Sequence, residues 1–339
     1  MAVASRESAA SRDDPGEGTA RRGAATSGRL GTVAFVAPLL YVAVVGAWLV
    51  YTRNWPTSDE IALSLFALAV ATGRGFGFLR DWSPFILLVL AYEALRGFAD
   101  NLGARVHVEF PVHADRAMFF GHLPTNVLQA HLWDPHHLHW YDYMSAYLHT
   151  AHFVVPLAFA FSLWLRSRNL YWKFVASYLL LTYAGYVTYI LFPMAPPWWA
   201  SNAGAIPHVD TILSTVLSQH TVSHPISLAY RFFDSNPVAA MPSLHAAFPV
   251  LTWLVVWKLF PRWGWLAVAY PLAVGFAVVY MGEHYVVDVL AGWLYGASAF
   301  AAVWVLPARW RRWRGLSGEG IAATQEPVLV QVGESPPGR

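Results

Sequence analysis

Eight runs of apolar residues, most of them about the length needed to cross a bilayer, constrain this chain more than any other feature. They fall at roughly 32–51, 58–73, 83–99, 143–165, 172–192, 243–260, 264–281 and 286–306. A hydrated fold cannot hide that much apolar helix, and only 12% of the 339 residues are charged against about 25% in an ordinary soluble domain. The pattern predicts an all-α integral membrane protein with about eight transmembrane helices. Seventeen Trp and sixteen Tyr suit a protein with two membrane interfaces. Residues 1–30, rich in Ala, Ser, Gly and Arg, are expected to form a disordered cytoplasmic tail, and 307–339 a basic and then disordered one. Between them, 31–82 supply two N-terminal helices and 83–306 a catalytic membrane domain.

Basic residues orient the bundle. With a cytoplasmic N-terminus and strict alternation, 17 of the 22 Lys and Arg lie inside and five outside: Arg53, Arg96, Arg105, Arg116 and Arg231. The expectation is a bacterial-type plasma-membrane protein with both termini in the cytoplasm. All 14 His then fall on the outer side, as do the long connections 100–142 and 193–242. Long loops on a rigid scaffold are where function concentrates, so the chemistry is placed on the outer face. The net charge of +2 predicts no nucleic-acid partner, and the absence of Cys excludes disulfides and thiolate chemistry.

Two short segments carry the chemistry. His245, in Met241-Pro-Ser-Leu-His245, stands at the outer start of the sixth run, and His284 and Asp288 at the outer start of the eighth. On a helix, residues four apart share a face. Asp288 would then accept a hydrogen bond from one ring nitrogen of His284, fix its tautomer and leave the other nitrogen nucleophilic. His245, from a neighbouring helix, would protonate a leaving oxygen. Two imidazoles and one carboxylate suffice for phosphoryl transfer through a phosphohistidine. No cofactor and no metal is required by that reading.

Pro242-Ser243-Leu244-His245 resembles the second motif of the type-2 phosphatidic acid phosphatase superfamily, and His284-x3-Asp288 resembles the end of its third. Leu244 in place of the usual Gly, with Pro193-Met-Ala-Pro-Pro-Trp-Trp199, resembles the inositol phosphorylceramide synthase branch. The resemblance covers roughly 83–306. It implies a six-helix core, metal-independent catalysis on a lipid-linked phosphate, His284 as nucleophile, Asp288 as its orienting partner and His245 as general acid. The branch implies a transferase that moves phosphoinositol or a related phospho-alcohol group, or one with an inositol-like or other alcohol acceptor; water as acceptor makes it a lipid phosphatase.

The phosphate clamp departs from that family. Its first motif, with a Lys and an Arg, is missing, and Val278 stands where the third motif carries Arg. An uncompensated phosphate in a low-dielectric site is costly. Arg96, Arg105, Arg116 and Arg231 are therefore the candidate cations, with Arg96 preferred and Arg231 kept beside it. Ser243 and the backbone N–H groups at the start of the sixth run would add donors. His149 or His152 is expected to line the cavity, and His152 is taken as the substrate contact. The His131–Asp142 run with His149 and His152 also permits a rival zinc-dependent membrane hydrolase, although a solvated, aromatic-rich interfacial loop is the favoured reading of 131–142. A transporter ranks last, because the middles of the spans carry almost no charge.

Overall fold

The computed structural model describes residues 58–99, 105–218 and 238–313, with isolated positions between 40 and 47. The expected tails 1–30 and 315–339, and most of the first apolar run, lie outside the described residues. Every other run is helical. In chain order the helices are α1 (Ser58–Ala71), α2 (Gly75–Ala99), α3 (Glu109–Met118), α4 (Pro124–Leu132), α5 (Trp140–Arg166), α6 (Arg168–Leu191), α7 (Pro197–Asn202), α8 (Ile212–Ser218), α9 (Leu244–Leu259), α10 (Pro261–Ala267), α11 (Ala269–Tyr280), α12 (Val286–Phe300) and, after a π-helical turn over Ala301–Val305, α13 (Leu306–Trp313). Among the described residues, four segments are long and apolar enough to cross a membrane: Trp140–Arg166, Arg168–Leu191, Pro261–Tyr280 and Val286–Val305. Leu244–Leu259 and Ile61–Ala71 are apolar but shorter. The fold class is all-α and membrane-embedded, as expected.

Local sequence explains the boundaries. Pro occupies the first turn of α4, α7 and α10, where its missing N–H costs nothing. Ser167 alone separates α5 from α6, and its hydroxyl accepts from Leu170 N–H at 3.4 Å, so the two long helices turn back on one another through a single capping residue. Leu87, Leu191, Leu272 and Leu294 remain exposed on the outside of the bundle, which suits a surface bathed in acyl chains.

Small residues set the closest approach. A methyl group at Gly292 would stand 2.2 Å from the Ser243 carbonyl oxygen, and one at Gly296 would stand 2.6 Å from that of Ala247. Neither would fit, so the Gly-x3-Gly row of α12 lets it lie backbone against backbone on the start of α9. Side-chain hydrogen bonds between helices reinforce this. Tyr189 Oη donates to the Pro242 carbonyl at 2.7 Å, Thr188 Oγ1 meets Tyr295 Oη at 2.7 Å, and Tyr270 Oη donates to the Ala151 carbonyl at 2.9 Å.

The two long connections are not featureless loops. The first carries α3 and α4; the second carries α7 and α8. Single parallel bridges pair His107 with Met194 and Met194 with Ala239, which stitches both connections together beside the sixth run. At one end of the bundle Asp81 of α2 is buried. Its carboxylate accepts from Arg168 Nε and a terminal guanidinium nitrogen (2.9 and 2.7 Å), from Arg80 Nε (2.9 Å) and from Trp164 Nε1 (3.0 Å). This pins α2 to the junction of α5 and α6.

Candidate active site

The site is assembled where α9 and α12 begin. Ser243 is the N-cap of α9: its Oγ accepts from Ala246 N–H at 3.3 Å, and its own N–H donates to the Asp288 carbonyl at 3.0 Å. His245 therefore sits in the first turn of α9 with its backbone fixed on both sides. Ser243 was expected as a phosphate donor; its side chain is fully buried, and the bond it makes is the helix cap.

His284 is not on a helix. α12 starts at Val286, after Tyr285 at the N-cap, so His284 belongs to the turn before it. The expectation of a shared helical face for His284 and Asp288 is corrected accordingly. Asp288 is the third residue of α12, and its Oδ2 accepts from Tyr285 N–H at 2.9 Å. That carboxylate is thereby held under the turn that carries His284. His284 Nδ1 stands 3.6 Å from Asp288 Oδ2, beyond a hydrogen bond, and neither His284 Nδ1 nor Asp288 Oδ1 has a hydrogen-bond partner within the protein. Catalytic bonds are often this long before substrate arrives. On its other side, His284 Nε2 lies 3.0 Å from His245 Nδ1. His284 and Asp288 are buried, and His245 is half-buried.

Several residues that were not singled out hold the turn. Asp115 of α3 is fully buried and accepts from Val286 N–H and Val287 N–H, each at 3.0 Å. Tyr285 is a poor N-cap, so the free N–H groups of α12 need an acceptor from elsewhere in the chain, and Asp115 supplies it. Burial pushes the Asp115 carboxyl up to about 6. The two N–H bonds oppose that shift and the neighbouring Asp288 charge adds to it. Gly282 has φ +81°, and a methyl group there would lie 2.7 Å from Val209 Cγ1, so only Gly fits the turn. Its carbonyl accepts from Trp198 N–H at 3.2 Å, which makes Pro193–Trp199 a brace for His284. Gln129 bridges the Asp210 backbone and the Tyr280 carbonyl at 2.9–3.0 Å.

A third and a fourth imidazole come from α5. The His149 ring lies 4.4 Å from that of His245, centroid to centroid, and the His152 ring lies 4.1 Å from it. His152 is buried, and its Nδ1 donates to the His149 carbonyl. The structure thus brings both His149 and His152, the two cavity candidates, beside the His245–His284 pair. The rival cluster does not assemble as the sequence run implied. Among the described residues, the one group of imidazoles and carboxylates close enough to share an ion is His149, His152 and His245; His131, His136 and His137 are exposed elsewhere.

The cations are less close at hand. The side chain of Arg96 and all of Arg231 lie outside the described residues. Arg105 is exposed. Arg116 is half-buried in a cleft of about 520 Å³ that it shares with His122, Asn126 and His131, and neither His245 nor His284 lines that cleft.

Comparison with known proteins identifies the family. The family model for the PAP2 superfamily matches residues 112–302, more than half of the chain. A Bacteroides thetaiotaomicron protein, phosphoinositol dihydroceramide synthase, is 26% identical over 219 residues, covering 62% of this chain and 71% of its own length. The inositol phosphorylceramide synthase catalytic subunit aur1 of Schizosaccharomyces pombe is 29% identical over 112 residues, covering 32% of this chain and 26% of its own. No solved structure matches.

Proposed function

The chain belongs to the PAP2 superfamily, and on that premise we propose that it is a membrane-embedded lipid phosphotransferase working through a phosphohistidine. The observation that carries this reading is the contact between His245 Nδ1 and His284 Nε2 at 3.0 Å, with the Asp288 carboxylate on the far side of the His284 ring. With the Nδ1 proton of His284 turned to Asp288, Nε2 is a lone pair aimed toward His245, which holds the proton between them.

In the first half-reaction His284 Nε2 attacks the lipid phosphorus. The P–N bond forms as the bond to the leaving alcohol oxygen breaks, and the His245 proton passes to that oxygen. In the second half the acceptor hydroxyl returns its proton to His245 and attacks the phosphohistidine, freeing His284. Asp288 orients His284 and stabilises the imidazolium character that develops on it. Asp115 is a positioning residue, acting through the N–H groups of Val286 and Val287. His152 is the substrate contact, with Arg96 and Arg231 retained as candidate cations for the phosphate.

The names of the two relatives pair phosphoinositol with a ceramide lipid. That chemistry places inositol on the travelling phosphate, in keeping with transfer of a phosphoinositol group, and the accepting hydroxyl on a sphingoid lipid. Water in the second half gives a lipid phosphatase from the same residues. The separating experiment is lipid mass spectrometry after incubating purified protein with phosphatidylinositol, with and without a ceramide. A ceramide-dependent phosphoinositol product is expected; phosphate or inositol phosphate alone would replace the transferase by the hydrolase.

The three-imidazole group gives the zinc-hydrolase reading its one specific support. That reading needs His245 as a metal ligand rather than a proton donor, and activity that is lost on chelation and restored by zinc would favour it. The leaflet is a separate proposal: the basic-residue bias puts the histidines outside and both termini in the cytoplasm. Reporter tags at both termini and within 193–242 test it, and a cytoplasmic 193–242 reporter would reverse the sidedness.

A further inference from the structure

His149 and His152 are three apart on α5 and share a face of that helix, and His245 reaches them from the first turn of α9. Each imidazole offers one nitrogen within 4.8 Å of the other two. A tetrahedral ion with metal–nitrogen bonds of about 2.0–2.1 Å brings its nitrogens to roughly 3.4 Å of one another, so small ring rotations close the set. The tautomer of one ligand is already fixed. His152 Nδ1 donates to the His149 carbonyl, which makes Nε2 its basic nitrogen, the arrangement by which metal-binding histidines are usually oriented. The chain has no Cys, and an all-imidazole set selects borderline metals such as Zn²⁺, Ni²⁺ or Cu²⁺ over the oxygen-seeking Mg²⁺ and Ca²⁺.

His245 is shared between this group and the His284 pair. An ion seated on the three imidazoles takes the lone pair and the mobility that His245 needs to give and regain a proton. It also places a divalent charge beside the nucleophile. We propose that His149, His152 and His245 form a capture site for one divalent transition-metal ion, and that the metal-bound protein is held inactive because His245 no longer transfers a proton. The binding statement stands on the side chains alone; the inhibition statement rests on the function proposed above.

The test uses the full chain in detergent, stripped with EDTA, dialysed, and equilibrated with Zn²⁺ buffered by a weak chelator. Elemental analysis should find one tight equivalent per chain. His149→Gln and His152→Gln should each weaken that equivalent by about 100-fold or more, while a double His136→Gln, His137→Gln variant of exposed histidines should keep it. Zn²⁺ should also raise the wild-type melting temperature and leave it unchanged in the two α5 variants, which covers the case where one variant folds poorly. Turnover should fall with the same Zn²⁺ midpoint and return with EDTA. Absence of a tight equivalent, or its persistence in both α5 variants, would overturn the capture site and leave the phosphohistidine reading untouched. A rise of turnover with Zn²⁺ would overturn the inhibitory role and the metal-free mechanism together. A chain that binds Zn²⁺ as expected but turns over no lipid phosphate would keep the capture site and discard the proposed function.

Discussion

Two buried aspartates, one at each end of the helical bundle, are treated in opposite ways. Asp81 is surrounded by donors: two arginines and a Trp indole N–H satisfy both carboxylate oxygens. Asp288 is equally buried, yet one of its oxygens has no hydrogen-bond partner within the protein and the other is held by a single backbone N–H. Its companion His284 also has an unpaired ring nitrogen. Complete pairing with cations makes a pin that neither gains nor loses a proton near neutral pH. Incomplete pairing without cations leaves groups whose hydrogen bonds are finished only when something else enters.

The sharpest way to break this contrast is to remove a side chain from each end. His284→Ala should lower turnover by about 10⁴-fold or more and abolish any trapped phosphoenzyme, with Asp288→Asn close behind because the imidazole loses its orienting acceptor. His245→Ala should cost about 10²–10⁴-fold with lipid substrates, and far less with a nitrophenyl phosphodiester whose leaving group needs no proton. Rates on both substrates for folded variants check this, and equal rescue of His284→Ala and His245→Ala by the activated substrate would dissolve the assignment of roles. At the other end, Asp81→Asn should destabilise the fold by about 1–3 kcal/mol, since Trp164 and Arg168 lose a charged acceptor while Arg168 keeps contact with water. Its turnover per folded molecule should stay near wild type. Thermal unfolding in detergent beside active-site titration reads both quantities, and a turnover loss matching that of Asp288→Asn would erase the distinction between pin and site.

The smallest effect concerns Asp115. Its carboxyl is raised from the ordinary 3.8 to about 6 by burial. Between those values the folded chain holds a proton that the unfolded chain releases, so unfolding releases protons and the contribution of this group to stability falls as pH rises from about 4 to 6, then levels off. Asp115→Asn should remove that slope. The measurement is the difference in melting temperature between wild type and variant across pH 4–7.5; a difference that does not change with pH would mean the group does not titrate in this window.

Much of the frame is legible in the chain. Apolar length and proline position mark nearly every helix boundary that matters, because a lipid-facing helix has few alternatives. His245, His284 and Asp288 are recognisable from spacing. Yet the i,i+4 argument for the last two assumes a shared helix, whereas the helix starts only after His284 and the turn brings the two side chains to 3.6 Å. Asp115 is invisible for a physical reason. It meets Val286 and Val287 across more than 170 residues, and nothing local to Arg116 or Ala114 signals that its partner is a helix start. The same holds for Asp81, whose neighbours Trp164 and Arg168 lie more than 80 residues away.

The glycine row of α12 has one more implication. Because Gly292 and Gly296 let α12 touch the main chain of α9 at Ser243 and Ala247, the separation between the two proposed catalytic motifs is written in backbone rather than in side chains. No ordinary substitution along that seam can widen the gap by a fraction of an ångström; it either clashes or leaves the spacing alone. Under the proposed function, variation in which lipid or alcohol is accepted would therefore arise on the other walls, from α5 and the two stitched connections. On that proposal, reaction type and substrate choice are set by different parts of the chain, so one could change while the other stands still.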